Sequence, residues 1–518
     1  MQGRGLEIPM ASADAFYVTT PIYYVNDVPH IGHAYTTLAC DAIARFARLD
    51  GRRVRFLTGT DEHGQKVEKA AAVAGMAPQL FTDQVSQRFR DLAERMQITH
   101  DDFIRTTEAR HKAGVQALWR ELVRRNQIYL GTYAGWYSVR DESFYAESEL
   151  VDGAAPTGAP VEWVEEPSYF FRLSDWQEPL LRFYAEHPDF ILPATRRNEV
   201  IRFVAGGLQD LSVSRTSFRW GIPVPDDPEH VIYVWLDALA NYMTALGYPD
   251  RDQPEYRTFW PADVHVVGKD ILRFHAVYWP AFLLAAGLEP PRRVFAHGWW
   301  THEGQKISKS LGNVIDPVQL IEDFGLDQTR YFLLREVPFG NDGDFSRGAM
   351  IKRMNRDLAN DYGNLVQRVL SLIQRNCDGR LPSPAAFTDE DDRLRGAGEA
   401  LLGRVRAEMA VQALSRALEA IFELVGAANR YVDAQAPWAL RKTDPARMAT
   451  VLYVLAETIR KLALSTQAFL PEASARILDQ LAVPADARTL EHYQTDAASL
   501  QPGMPLPSPT GVFPRFAE

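Results

Sequence analysis

The stretch "AFYVTTPIYYVNDVPHIGHAYTTLACDAIARFARLDGRRVRFLTGTDEHG", Ala15 to Gly64, decides the fold. Its opening run is rich in β-branched and aromatic side chains and ends in an Asn26-Asp27 turn, the pattern of a strand. From His33 onward apolar residues recur at helical spacing until Gly51 stops the run. "RRVRFLTGTDEHG" then begins as a second strand and breaks at Gly59. Strand, helix, strand is a βαβ unit. Such a unit implies a parallel sheet whose ligands gather at the carboxyl ends of its strands.

The same stretch poses a chemical question, because His30 and His33 bracket Ile31 and Gly32 just ahead of the helix. A helix start offers backbone N–H groups and the positive end of a dipole to a phosphate, and two imidazoles add donors to the same anion. Gly32 removes a side chain where a flat ring or a sugar can approach the backbone. Taken alone, the pair serves equally well as a metal or surface pair.

At 518 residues the chain predicts two or three domains, each able to bury its own core. The hydrophobic and charged fractions, 46% and 24%, are those of a globular chain without a membrane-length apolar run, so no membrane partner is expected. The opening "MQGRGLEIPMASAD" lacks a basic start followed by an apolar core and reads as a loose leader, which predicts a cytoplasmic protein. Two distant cysteines, Cys40 and Cys377, exclude a disulfide framework and a C-x-x-C zinc pair. A net charge of −11 argues against a general nucleic-acid coat and confines any RNA site to a local basic face.

Aromatic, Gly-rich, alternating text from "YLGTYAGWYSVRDESFY" to "SYFFRLS" reads as a small β-rich insertion. Strand-helix rhythm returns in "HVIYVWLDALANYMTAL", "DVHVVGKDILRFHAVYWPAFLLAAG" and "RVFAHGWWTHEGQKISKS". After about Gly343 long helical periods predict a bundle, and the Pro-rich "QPGMPLPSPTGVFPRFAE" reads as a surface strap. The expected fold is therefore α/β. It has a doubly wound parallel-sheet (Rossmann-like) catalytic domain with a small β-rich insertion, followed by an all-α helical-bundle domain. The boundaries are a leader at 1–14, the first half of the sheet domain at 15–118, the insertion at 119–224, the second half at 225–343, the helical domain at 344–490 and the tail at 491–518.

A second chemical stretch is "GQKISKS", where Lys306 and Lys309 lie on a loop with Gly304, Ser308, Ser310 and Gly312. Lysines on such a loop neutralise a polyphosphate as charge develops on it, although a loop of this composition is equally a plain solvated turn. Histidines in the first half of the sheet and lysines after the second half are expected to face each other across the switch point.

Here the sequence resembles the class I aminoacyl-tRNA synthetases. H-I-G-H at His30–His33 matches their first signature letter for letter, and K-I-S-K-S at Lys306–Ser310 departs from the usual K-M-S-K-S only at Ile307. "TTPIYYVN", "FLTGTDEHG", "YVWLDAL", "GKDILRFHAVYWPAFL", "HGWW" and "NRYVDAQAPW" are similar to methionyl-tRNA synthetases in particular, from about Ala15 to the final "FPRFAE". The resemblance implies activation of L-methionine with ATP and magnesium, release of pyrophosphate, and transfer to the 3′ end of elongator and initiator tRNA(Met). By the same resemblance His30, His33, Lys306 and Lys309 are catalytic, and Gly32, Gly268, Asp270, His297 and Ser308 bind ATP. Asp61 holds the substrate ammonium, while Ile22, Tyr24, Trp235, Tyr242, His275 and Trp279 shape the side-chain pocket. The physical reading agrees, since a thioether is apolar, polarisable and a weak acceptor, with the Tyr24 hydroxyl and the His275 imidazole as candidate donors. Plainer readings stay open: core for the aromatics, a turn for "GKDILRF" and a satisfied core histidine for His297.

The insertion, about Leu118 to Gly221, is too short for a hydrolytic editing domain. Ser138 and Asp141 stand where many methionine enzymes carry a cysteine knuckle, so no zinc is expected and Trp136, Tyr137, Phe144 and Tyr145 are expected to hold the subdomain. In the helical region Asn364, Arg368 and Trp438 match the family's anticodon readers, with Lys352, Arg353 and Arg356 nearby to attract phosphates. No appended tRNA-binding barrel is expected, and a monomer is therefore expected. Two other readings remain: a synthetase for another small apolar or thiol amino acid, and a silent RNA-binding paralogue.

Overall fold

Strand β1 (Ala15–Thr19) is buried along its whole length, as a central strand of a parallel sheet must be. A computed structural model of the chain describes residues 14–25, 28–141, 143–145, 147–307, 314–494 and 499–517. The chain divides into two compact units, Met1–Pro29 with Arg55–Ala296 and His30–Val54 with His297–Glu518. The first unit is built on the large sheet, begun by β1, β2 (Tyr23–Tyr24), β3 (Arg53–Asp61) and β4 (Asp102–Arg105).

The insertion follows as β5 (Ile128–Ser138), β6 (Ser143–Tyr145), β7 (Glu162–Phe171), β8 (Ile191–Leu192) and β9 (Leu211–Ser212). A small sheet of β10 (Ser214–Arg215), β11 (Pro223–Val224) and β12 (Asp227–Ile232) precedes β13 (Val264–Gly268) and β14 (Val294–His297). The large sheet has the order β2-β3-β1-β13-β14-β8 with β4 on β3. The β1–β13, β2–β3, β3–β4 and β14–β8 pairings are parallel. Its order reverses between β1 and β13, which is the switch point where ligands of such sheets bind. The expected doubly wound architecture is present.

Two details depart from the sequence reading. Gly59 does not break β3 but lies inside it, because a Cβ there would sit 2.0 Å from the Ile104 carbonyl oxygen on β4. Its missing side chain serves close strand approach. The stretch between β7 and β9 also adds two helices, Gln177–Glu186 and Ala194–Ala205, and lays β8 parallel to β14 in the large sheet. β5 and β7 form the long ribbon of the insertion, from Ile128 opposite Phe171 to Tyr137 opposite Glu162.

The second unit holds the helix Ile31–Leu49, the bundle helices and a small sheet of β15 (Trp300–His302), β16 (Gln305–Lys306) and β17 (Gly343–Phe345). Asp41 of that helix and Arg330 form a buried ion pair at 2.8 Å. Arg330 also donates to the Phe469 and Ala468 carbonyls at 2.9 and 3.0 Å, so its desolvated charge is met by one anion and two carbonyl dipoles. The long helices Asp389–Ala410, Leu414–Gln435 and Pro445–Thr466 pack on one another, and Pro471–Gln480 packs on the last of them. The C-terminal strap is pinned: Asn355 and Phe516 exchange hydrogen bonds of 2.8 and 2.9 Å, and Leu506 and Val512 are buried. No helix among the described residues is long and apolar enough to cross a membrane.

Candidate active site

The two histidines cap their own helix. His30 is the N-cap residue of Ile31–Leu49, and its Nδ1 accepts the Gly32 backbone N–H at 3.1 Å while the Nδ1 of His33 accepts the His30 N–H at 3.1 Å. Their rings stack with centroids 3.8 Å apart. An Nδ1 that accepts places the ring hydrogen on Nε2 in the neutral form, so both rings are set as Nε2–H donors. Burial, aided by His30, lowers the His33 pKa well below the ordinary imidazole value and keeps that ring neutral.

One turn along the same helix, the Thr36 hydroxyl donates to Nε2 of His297 at 2.7 Å, while His297 Nδ1 donates to the Gly298 carbonyl at 2.8 Å. His297 is 4% exposed and both of its nitrogens are engaged. These two bonds hold His297 against the histidine helix. Tyr35 sits edge-on to His297, Trp300 and Phe339 at 5.3, 5.5 and 5.6 Å. The lysine hairpin is thus rooted on the histidine helix, since Trp300 begins β15 and Thr301 pairs with Lys306. The hairpin turns at Glu303 and Gly304, both with positive φ (50° and 76°), as a two-residue loop of this hand requires. Lys306 consequently belongs to a strand and not to a loop; Ser308, Lys309, Ser310 and Gly312 lie outside the described residues.

In the other unit the carboxyl ends of the strands carry residues expected to meet the amino acid. Tyr24 and Asp61 are partners in the β2–β3 register, Asp61 is 7% exposed, and Lys66 lies 5.1 Å over the Tyr24 ring. The neighbouring carboxylate, Glu62, is committed to Arg105 at 2.6 and 3.0 Å, which separates its role from that of Asp61. Gly268 ends β13, and Asp270 follows it in an exposed turn.

Ile22, Tyr24 and Trp235 pack against the core cluster that contains Tyr242 and Trp279. Trp235 stacks on Phe274 at 3.6 Å, and His275 lies within a short π-helical segment, Phe274–Tyr278, a wide turn of the kind that recurs at functional sites. His275 Nδ1 donates to the Ile271 carbonyl at 3.0 Å, and burial lowers its pKa to about 4. Its Nε2 is then an acceptor, filled by the Tyr242 hydroxyl at 2.7 Å. The imidazole expected to donate to a thioether has no N–H left for it. Trp279 is wholly buried within this cluster, beside Tyr242.

Reasoning from sequence misses three members of this region: Phe274, His265 and Trp260. His265 stacks on Tyr242 at 3.9 Å and bonds Thr19 at 2.8 Å across the switch point. A histidine inside the apolar strand text "DVHVV" is the available signal.

The family described as "tRNA synthetases class I (M)" matches residues 16–160 and 157–370, and the "Anticodon binding domain of methionyl tRNA ligase" matches residues 381–518. The chain is 57% identical over 514 residues to the methionine–tRNA ligase of Rickettsia bellii, covering 98% of this chain and 100% of the relative. It is 55% identical over 512 residues to that of Mesorhizobium japonicum, covering 98% and 99%. The Mycobacterium tuberculosis methionyl-tRNA synthetase in complex with methionyl-adenylate superposes with a TM-score of 0.94 at 54% identity, covering 97% of this chain and 100% of that one. The chain belongs to the class I methionyl-tRNA synthetases.

Within this family fold, the residues expected at the anticodon face come together in the second unit. Arg368 lies 4.7 Å over the Trp438 ring and is ion-paired to Asp433, while Asn364 is exposed one turn earlier on the Arg368 helix. Trp438 is 47% exposed. Lys352 and Arg356 are exposed, but Arg353 is tied to Glu336 at 2.9 Å, so its charge is committed within the protein.

At the knuckle position of the synthetase insertion, Asp141 accepts from Tyr145 at 3.1 Å and from Thr157, and its N–H donates to Ser138 at 3.2 Å. Trp136 packs edge-on to Trp163 and Tyr137 is buried; the Phe144 side chain lies outside what the structure describes. Among the described residues no group of three or more His, Cys, Asp or Glu is placed to hold a metal ion.

Proposed function

We propose that this chain joins L-methionine to tRNA(Met) with the following division of labour. Asp61 holds the substrate ammonium, and Ile22, Tyr24, Trp235, Tyr242, His275 and Trp279 shape the pocket around the thioether. The Nε2–H groups of His30 and His33 donate to ATP phosphate oxygens, and Gly32 lets the nucleotide approach the helix start. Gly268, Asp270, His297 and Ser308 contact the nucleotide. The methionine carboxylate attacks the α-phosphorus in line, and Lys306 and Lys309 take up the charge that develops on the departing pyrophosphate. Magnesium enters with ATP as part of that substrate. The terminal ribose hydroxyl of the tRNA then attacks the adenylate carbonyl and AMP leaves.

Asn364, Arg368 and Trp438 read the anticodon, which elongator and initiator tRNA(Met) share. The chain works as a cytoplasmic monomer without structural zinc. Cys40 is buried and unbridged, in keeping with a reducing compartment, and hydrogen bonds to Asp141 occupy the knuckle position.

The observation that carries the catalytic reading is the reciprocal histidine cap, which aims two ring donors from a helix start. Lys309→Ala tests the charge-stabilising step. Adenylate formation undiminished in that variant would contradict it.

A further inference from the structure

His63, Asp237 and His111 form a buried chain that no step above uses. His63 Nδ1 donates to Asp237 Oδ2 and His111 Nε2 donates to Asp237 Oδ1, each at 2.7 Å. His111 Nδ1 in turn accepts the Thr244 hydroxyl at 2.8 Å. All three titratable side chains are essentially without solvent contact, with Asp237 and His111 at 0% and His63 at 2%. Gly114, one turn from His111, is what lets that helix close on Thr244: a Cβ there would lie 2.3 Å from the Thr244 methyl.

The place of each member in the chain gives the network its meaning. His63 follows Asp61 by two residues, just past the end of β3. Asp237 follows Trp235 by two residues in the helix Val234–Leu239. One carboxylate therefore ties the strand end that carries the ammonium anchor to the helix that carries a wall of the thioether pocket. His111, from the helix Ala109–Arg124, holds the carboxylate from its other side. The strand end is clamped further by Trp220, whose Nε1 donates to the Glu62 carbonyl at 2.5 Å and whose own carbonyl accepts from Gly64 at 2.9 Å.

We infer that Asp237, held between His63 and His111, is a positioning residue that sets the distance between the ammonium anchor Asp61 and the pocket wall Trp235. This rests on the methionine pocket proposed above. Burial by itself would raise the Asp237 pKa, and the attraction of His63 with the hydrogen bonds from both rings outweighs it and holds the carboxyl below its ordinary range. The anion accepts at both oxygens. An amide in its place accepts on one side and donates on the other, so one imidazole must change tautomer or lose its bond.

The test is steady-state pyrophosphate exchange with Asp237→Asn, Thr244→Val and Thr244→Ser, with Asp61→Asn as control. Asp237→Asn is expected to raise the methionine KM by about tenfold or more while the ATP KM stays within about twofold, the signature of lost binding at one substrate only. Thr244→Val, which keeps shape and loses the hydroxyl, moves the methionine KM in the same direction with the ATP KM unchanged, and Thr244→Ser, which keeps the hydroxyl, leaves both near wild type. Should Asp237→Asn fail to fold, the two Thr244 variants decide. Unchanged methionine KM in the folded variants, or equal rises for both substrates, would overturn the inference. If Asp61→Asn also leaves the methionine KM unchanged, the pocket reading itself fails; if Asp61→Asn alone raises it, only the positioning role falls.

Discussion

The backbone N–H of His30 donates to Nδ1 of His33 across 3.1 Å, so the two signature histidines share one helix cap. In that arrangement the residue that orients the ring and the residue that presents a donor are the same. Capping uses Nδ1 of each ring, so it is separable from the phosphate contact proposed for Nε2.

His33→Asn keeps an acceptor near the Nδ1 position and removes the Nε2–H. Its stability should stay close to wild type, while methionine-dependent exchange falls by about 100-fold, the loss typical of one charge-stabilising donor. His33→Leu removes both groups and should cost roughly 1 kcal/mol of stability in addition, the value of a helix cap. Thermal unfolding and exchange assays on the pair check this. Equal stability of the two variants would show that the cap contributes nothing.

The buried His275 makes a prediction with a definite sign. Its folded pKa, lowered to about 4, lies below the ordinary 6.5, so the unfolded chain binds more protons between those values. The stability it contributes is complete above about pH 6.5 and is lost as the pH falls toward 4. Methionine affinity should show no titration from this ring near neutrality. Tyr242→Phe leaves Nε2 of His275 without its donor and should weaken methionine binding by about 1–3 kcal/mol, read as a rise in KM without a matching change for ATP.

Gly59→Ala would place a methyl group 2.0 Å from the Ile104 carbonyl oxygen. Both partners are strand backbone and neither can step aside, so the variant should lose at least about 2 kcal/mol, visible as a lower denaturant midpoint. Wild-type stability would mean that β3 and β4 are less closely apposed.

Trp438→Ala should remove a base-stacking platform while leaving Arg368 paired to Asp433. The expected loss is about 1–3 kcal/mol in kcat/KM for tRNA, with tRNA-free adenylation nearly intact. Equal losses in the two assays would contradict the anticodon assignment.

The strand-helix-strand rhythm of Ala15–Gly64 carries its period in the amino-acid sequence, and the large sheet follows from it. β8 is not legible there, because two residues, Ile191 and Leu192, followed by Pro193 have no period to read. Gly59 reads as a breaker because a sequence does not say which carbonyl passes its Cα. Lys306 reads as loop because its strand, β16, is two residues long. Within the site, the histidine and lysine signatures stand out as local motifs. The donor expected from His275 is absent, since a tautomer depends on the Ile271 carbonyl and the Tyr242 hydroxyl around it. The His63–Asp237 pair spans 174 residues, and nothing local marks either side chain as the other's partner.

The most direct measurement is amino-acid-dependent exchange of labelled pyrophosphate into ATP, run across the standard amino acids with magnesium present and with metal analysis of the same preparation. Exchange supported by methionine alone, in protein free of stoichiometric zinc, is the expected result. Exchange with another amino acid in its place, or with none in a folded preparation, would contradict the assignment of this pocket and of the reaction built on it.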